Sequence, residues 1–134
     1  MLLVDTNVLV DVFEDDPDWA DWSVSRLREH SVVSKLAINP IIYAELSAAF
    51  SAIEKLDAAI AALGLEFREI PRPALFLAAK AFQRYRRKGG TKSNVLADFF
   101  IGAHAAVAGW PVMTRDPARY RSYFPTLRLI TPAP

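Results

Sequence analysis

The sequence predicts an α/β fold built on a mainly parallel sheet, and three observations carry that expectation. Its apolar runs are short and lack polar alternation, as in Leu2-Leu3-Val4, Leu36-Ala37-Ile38 and Pro111-Val112-Met113. Strands covered on both faces read this way. Segments of helical periodicity separate these runs. The runs also end abruptly in polar groups, Asp5-Thr6-Asn7 after the first and Thr114-Arg115-Asp116 after the last. Open α/β sheets bind ligands in the crevice beyond the carboxyl ends of their strands.

Taken in order, Leu2–Val4 is a strand and Thr6–Phe13 a short helix, with Val8, Leu9, Val12 and Phe13 at helical spacing. The acidic break Glu14-Asp15-Asp16-Pro17-Asp18 leads to a second helix carrying Trp19, Trp22, Val24 and Leu27, with Asp18 in its first turn, where negative charge is favoured. That helix frays near His30, which reads as a C-terminal cation or a surface residue. Leu36–Asn39 is the second strand, and Pro40 opens a helix over Ile41–Phe50. Ser51 and Glu54 match a capping box for a helix over Ser51–Leu63, which Gly64 stops. Leu65–Ile70 alternates with period two, as an edge strand does. Pro71 and Pro73 open a helix over Ala74–Arg87. Val95–Ala108 is the most apolar helix and ends at Gly109. A strand over Pro111–Thr114 follows, then a helix through Tyr120 and Phe124 with Asp116 fitting its N-cap and Pro117 its first position. Leu127–Ile130 supplies the last strand, and Thr131–Pro134 a tail.

A chain of 134 residues with 52% hydrophobic residues is expected to be one domain, residues 1–134, with a proper core. A net charge of +1 argues neither for nor against nucleic acid. With no cysteine, disulfides and thiolate metal sites are excluded, and a reducing cytoplasm is the expected compartment. Met1 begins a strand-like run without a basic leader, so no signal peptide is expected. The best candidate for a membrane span, Leu36 to Phe50, is interrupted by Asn39, Pro40 and Glu45. There is no internal repeat, low-complexity stretch or linker.

Four acids stand out. Asp5 and Asp116 follow strands; each has a plain alternative as a helix cap. Glu45 has Ile41 and Ile42 before it and Ala48 and Ala49 after it on one helical face. Asp98 shares a face with Val95, Ile101, Gly102 and Ala105. A buried, unpaired carboxylate is costly, so both acids need a cation, a proton or a cleft; for Glu45 the alternative is that the helix is rotated and the acid reaches solvent from the edge of the stripe. His104 lies half a turn from Asp98 and reads as packing or surface capping. If the four acids converge at one crevice, each pair about 6 Å apart at an effective dielectric of about 20 costs roughly 3 kcal/mol. Hard cations relieve that repulsion, and an all-oxygen set suits Mg²⁺ or Mn²⁺. Such sites suit phosphodiester hydrolysis, where the ion activates water and stabilises the attacked and departing oxygens. The basic run Arg84-Tyr85-Arg86-Arg87-Lys88 reads either as cations at a helix C-terminus or as a phosphate-contacting patch with a tyrosine for stacking. Gly89-Gly90-Thr91-Lys92-Ser93 lacks P-loop spacing.

Leu-Val-Asp-Thr-Asn at the start, the mid-chain glutamate helix, Leu-Ala-Asp-Phe-Phe-Ile-Gly-Ala-His-Ala and Val-Met-Thr-Arg-Asp-Pro-Ala-Arg-Tyr together resemble the PIN-domain ribonucleases, specifically the VapC toxins of type II toxin–antitoxin pairs. The resemblance runs from Leu3 to the tail. It implies a three-layer α/β/α sandwich with a central parallel sheet, a homodimer within a larger toxin–antitoxin assembly, and Mg²⁺- or Mn²⁺-dependent cleavage of RNA. It also implies inhibition by a VapB-type antitoxin. Asp5, Glu45, Asp98 and Asp116 would be the catalytic, metal-binding acids, with Asn7 and Thr114 in support. Arg115 would meet an RNA phosphate or an antitoxin segment, and Arg86, Arg87 and Lys88 are the further RNA-binding candidates. Some relatives place another acid one turn before the third aspartate; Asn94 stands there. A haloacid-dehalogenase-like phosphatase would want an acid at Asn7, and a receiver domain a late lysine after a strand. A non-catalytic PIN-like binding module is the competing reading from another class.

Overall fold

A computed structural model describes residues 1–93 and 95–132. At its centre is β1 (Leu2–Val4), three consecutive residues all fully buried. Such a strand has no solvent face and must be paired on both edges and covered on both sides. It pairs in parallel with β2 (Leu36–Ile38) through Leu2 opposite Leu36, and with β4 (Val112–Met113) through Leu3 opposite Val112. β3 (Leu65–Phe67) adds beyond β2, and β5 (Leu129–Ile130) beyond β4, both parallel. The order is therefore β3-β2-β1-β4-β5. The edge strands are the less buried ones, as the period-two pattern of Leu65–Phe67 anticipates.

Seven helices flank the sheet among the described residues. β1 leads through α1 (Thr6–Phe13) and α2 (Ala20–Ser31) to β2, and β2 through α3 (Pro40–Ser47) and α4 (Ile53–Ala62) to β3. The chain then crosses back through α5 (Arg72–Arg87) and α6 (Leu96–Ala108) to β4, and through α7 (Ala118–Tyr123) to β5. Right-handed crossovers in opposite directions send α1–α4 to one face and α5–α7 to the other. Most helix contacts agree, with α1 packed on α2 and α3 and α6 on α5 and α7, while α3 and α6 also touch each other. Connections from the neighbouring strands β1 and β4 leave in opposite directions. This is the topological switch point, where a crevice opens beyond the strand ends.

Local chemistry fixes several boundaries. Asn39 caps α3, its Oδ1 accepting from Ile42 N at 3.0 Å, and Gly109 ends α6 at φ 74°. Two expected caps, and one residue expected in a first helical turn, fall outside their helices. α4 begins at Ile53 with Ala52 as its cap and no side-chain bond; Ser51 sits one residue too early and instead lies 3.4 Å from Lys55 Nζ. α7 is preceded by Pro117, so Asp116 stands outside its cap. Asp18 precedes α2, because Asp16 Oδ1 takes the Asp18 and Trp19 amides and delays the helix to Ala20. His104 is fully buried rather than at a surface, against Trp110, with Asn39 Nδ2 3.2 Å from its Nδ1. Burial pushes its pKa down, so it is a neutral core residue.

α6 and α7 meet at Gly102. An added Cβ there would lie 2.5 Å from the buried ring of Phe124, so Gly102 is what lets α7 approach. Gly102→Ala should destabilise the chain by about 1–3 kcal/mol, read as a lower urea midpoint at unchanged slope; an unchanged midpoint would show that the ring moves aside freely.

Candidate functional site

Asp5 is held where β1 stops and α1 starts. Its amide donates to Met113 O at 2.9 Å, which locks it beside the end of β4. Its side chain is 5% exposed and receives three donors. Thr6 N lies 2.7 Å from Oδ1; Thr114 Oγ1 and Tyr120 OH lie 2.9 and 2.8 Å from Oδ2. Burial raises its pKa from 3.8 to about 6; the Tyr120 and Thr114 hydroxyls oppose the rise and the Asp98 charge adds to it. Tyr120 is pushed well above its ordinary value by burial and by the charges of Asp5, Asp98 and Glu45, so it remains a donor.

The other three acids surround the same crevice. Asp5, Thr6, Asn7, Glu45, Asp98, Arg115 and Asp116 line one cavity of about 300 Å³ with Val10. Glu45 comes from α3. Of its two readings, the buried stripe fails and the rotated helix holds: Ile42 and Leu46 fill the buried face, Ala48 and Ala49 are exposed, and Glu45 stands exposed at the edge. Its Oε1 accepts from Thr6 Oγ1 at 2.6 Å. Asp98, in the first turn of α6, is half-buried rather than buried, with Arg119 Nη1 3.1 Å from Oδ2. Burial raises its pKa, Arg119 opposes, and the charge of Asp116 adds to the rise. Asp116 is exposed at the rim.

Thr114 Oγ1 joins the parts. It accepts from Asn7 Nδ2 at 3.3 Å and Asp116 N at 3.1 Å and donates to Asp5. Asn7 Oδ1 accepts from Arg115 N at 3.2 Å. Arg115 borders the cavity, but its guanidinium is engaged elsewhere. Its guanidinium makes a bidentate pair with Asp11, which is 2% exposed and also bonded by Ser23, and it lies 5.0 Å over the Trp19 ring. The phosphate contact expected of Arg115 therefore competes with a buried partner. Arg86, Arg87 and Lys88 are exposed at the end of α5 and do not line the cavity. Tyr85 is not free to stack on a base: it packs against Phe82, Phe99 and Tyr123, and its hydroxyl accepts from Lys92 N at 3.2 Å. Asn94 lies outside the described residues.

The sequence reading passed over Thr6, Asp11, Arg119 and Tyr120. Asp11 carried a signal, an acid one turn beyond Asn7 and adjoining the buried Val8–Leu9 stripe. Tyr120 carried none beyond an aromatic in a short helix.

Among the described residues, no three His, Asp or Glu side chains are already gathered into an ion-holding cluster. The donor set nonetheless suits a hard divalent cation. Every candidate ligand is an oxygen, and the charges of Asp98 and Asp116 raise the pKa values of Asp5 and Asp98 respectively. A cation in the cavity would relieve that repulsion.

No curated protein matches the chain. Solved structures do. VapBC2 from Rickettsia felis, bound to a DNA fragment from their promoter, has a TM-score of 0.74 at 20% identity, over 97% of each chain. DNA-bound VapBC from Salmonella typhimurium gives 0.71 at 21% identity, covering 97% of this chain and 96% of that one. A toxin–antitoxin complex from Klebsiella pneumoniae gives 0.67 at 21% identity, over 90% of each. These likenesses are of fold, and they agree with the parallel five-stranded sheet described above. The PIN domain family model matches residues 2–124, and the chain belongs to that family.

Proposed function

We propose that this chain is a divalent-metal-dependent endoribonuclease, the VapC-like toxin of a toxin–antitoxin pair. The observation that carries the reading is the shared cavity: acids from the end of β1, from α3, from α6 and from the β4–α7 turn all line it. Membership of the PIN domain family supports nuclease chemistry, and the likeness to VapBC structures supports the toxin role. Asp5, Glu45, Asp98 and Asp116 would hold Mg²⁺ or Mn²⁺. The ion would supply an activated water and charge stabilisation at the attacked phosphorus. Asn7 and Thr114 fix the acids relative to one another. An RNA backbone, itself anionic, enters such a pocket only once its charge is offset.

The partner would be a VapB-type antitoxin placing a cationic side chain at the same acids, and the chain would work as a homodimer within a larger assembly. Arg119 already shows that Asp98 accepts a guanidinium. No helix among the described residues is long and apolar enough to cross a membrane. A non-catalytic binding module remains the competing reading, favoured if no ion binds.

Two measurements test the proposal. Thermal melting with Mn²⁺ at a hundredfold excess over Kd should stabilise the wild type by about 3 kcal/mol. Asp98→Asn should lose that gain and slow cleavage of a long RNA by at least about a hundredfold, as expected when one electrostatic anchor is removed. Silence of the wild type in both assays would favour the binding module.

A separate prediction is a pH dependence. Asp5 binds its proton more tightly folded, at about 6, than its ordinary 3.8. A raised carboxyl pKa means that stability is lost as pH climbs from about 4 to about 6, here by about 3 kcal/mol at most, and is flat above. In EDTA the wild type should therefore fall relative to Asp5→Asn across that window in denaturant unfolding. A constant difference between the two curves would refute it.

A further inference from the structure

Tyr120 is the largest of the fully buried side chains, on a helix of six residues. A phenylalanine would fill that space as well; a buried hydroxyl costs stability unless it is used. Its use is visible. The hydroxyl lies 2.8 Å from Asp5 Oδ2, on which Thr114 Oγ1 also converges at 2.9 Å. Thr114 must donate there, because its oxygen already accepts from Asn7 Nδ2 and Asp116 N. Tyr120 must donate too, since a carboxylate only accepts.

A carboxylate has about four acceptor positions, two on each oxygen. Tyr120 and Thr114 take both positions on Oδ2, and Thr6 N takes one on Oδ1. Among the described residues, one position is left, on Oδ1. From this count we propose that Tyr120 is a positioning residue: with Thr114 it saturates Asp5 Oδ2, so that Asp5 offers a single oxygen to a divalent cation in the acid cavity. The inference rests on the metal-dependent reading above and adds to it a residue that would favour that ion class over Ca²⁺. A carboxylate confined to one oxygen suits Mg²⁺ or Mn²⁺, which keep compact octahedral shells and several waters. It suits Ca²⁺ less, because that ion takes six to eight oxygens and often binds carboxylates through both.

The test is calorimetric titration of the full-length chain with Mn²⁺ and separately with Ca²⁺, for wild type and Tyr120→Phe, with metal-free melting as the check on folding. Tyr120→Phe should weaken Mn²⁺ binding by about ten- to a hundredfold, the scale of losing a partner that orients a ligand. It should weaken Ca²⁺ less, so that the preference for Mn²⁺ narrows. General loosening of the fold would weaken both ions alike and leave their ratio unmoved. An unchanged Mn²⁺ isotherm, or an equal loss for both ions, overturns the proposal while leaving the metal site standing. Absence of Mn²⁺ binding in the wild type removes the metal reading and this inference with it. Should Tyr120→Phe fail to fold, Thr114→Val removes the other donor to the same oxygen and is judged by the same ratio.

Discussion

The rest of the structure depends on how one carboxylate is buried. Asp5 follows a strand that has no solvent face, and its side chain is almost wholly buried, 5% exposed, at the wall of the acid cavity. A carboxylate in that position must be solvated by the protein or be lost to protonation. The donors come from three places: the first turn of α1, the end of β4, and α7. Each is positioned by something else. The turn follows directly from β1, Thr114 N is fixed by its bond to Ile130 O in β5, and α7 docks where Gly102 leaves room for Phe124. The fold thus converges on Asp5 as firmly as the site does.

That dependence explains what could be read from the residues. Unalternating runs such as Leu2–Val4 specify burial on both faces, and burial on both faces in an α/β chain specifies a parallel sheet. Asp5 and Asp116 were legible because strand ends at a switch point are where ligands bind. Glu45 and Asp98 were legible for a reason that proved only partly right. Both were expected within buried stripes, yet Glu45 is exposed and Asp98 half-buried. A helix of eight residues such as α3 buries its face with only two side chains, Ile42 and Leu46. The flanking positions are free to turn to a cavity, and periodicity alone cannot tell that rim from the face.

The partners were the less legible part. Arg115 reads in sequence as a free cation beside an acid, and its bond to Asp11 depends on α1 lying next to the β4 end, 104 residues away in the chain. Tyr85 reads as a stacking platform because it sits in a basic run, but α5 turns it into the aromatic cluster around Phe99. The helix caps failed by one or two residues for a related reason. Ser51 and Asp116 have the right chemistry for caps and Asp18 for a first turn, and competing bonds or a bend in the chain moved the helix start past them.

The pairing pattern also decides what the cavity can attract. Arg115 borders it but is matched by Asp11, and Arg119 is matched by Asp98. Among the described residues, Asp5, Glu45 and Asp116 have no cationic partner, although they share one space. The hydrogen bonds to Asp5 and Glu45 come from hydroxyls and a backbone amide, which orient a carboxylate without cancelling its charge. Such a pocket repels a bare phosphodiester and draws in cations, whether a divalent ion or the side chain of an inhibiting partner. The same uncancelled charge therefore supports both halves of the proposed cycle. Under that proposal an ion would convert the pocket into a site for RNA, and a protein cation placed there would exclude the ion and with it the substrate. Competition of that kind would follow from the charge left over when the fold has satisfied its own ion pairs.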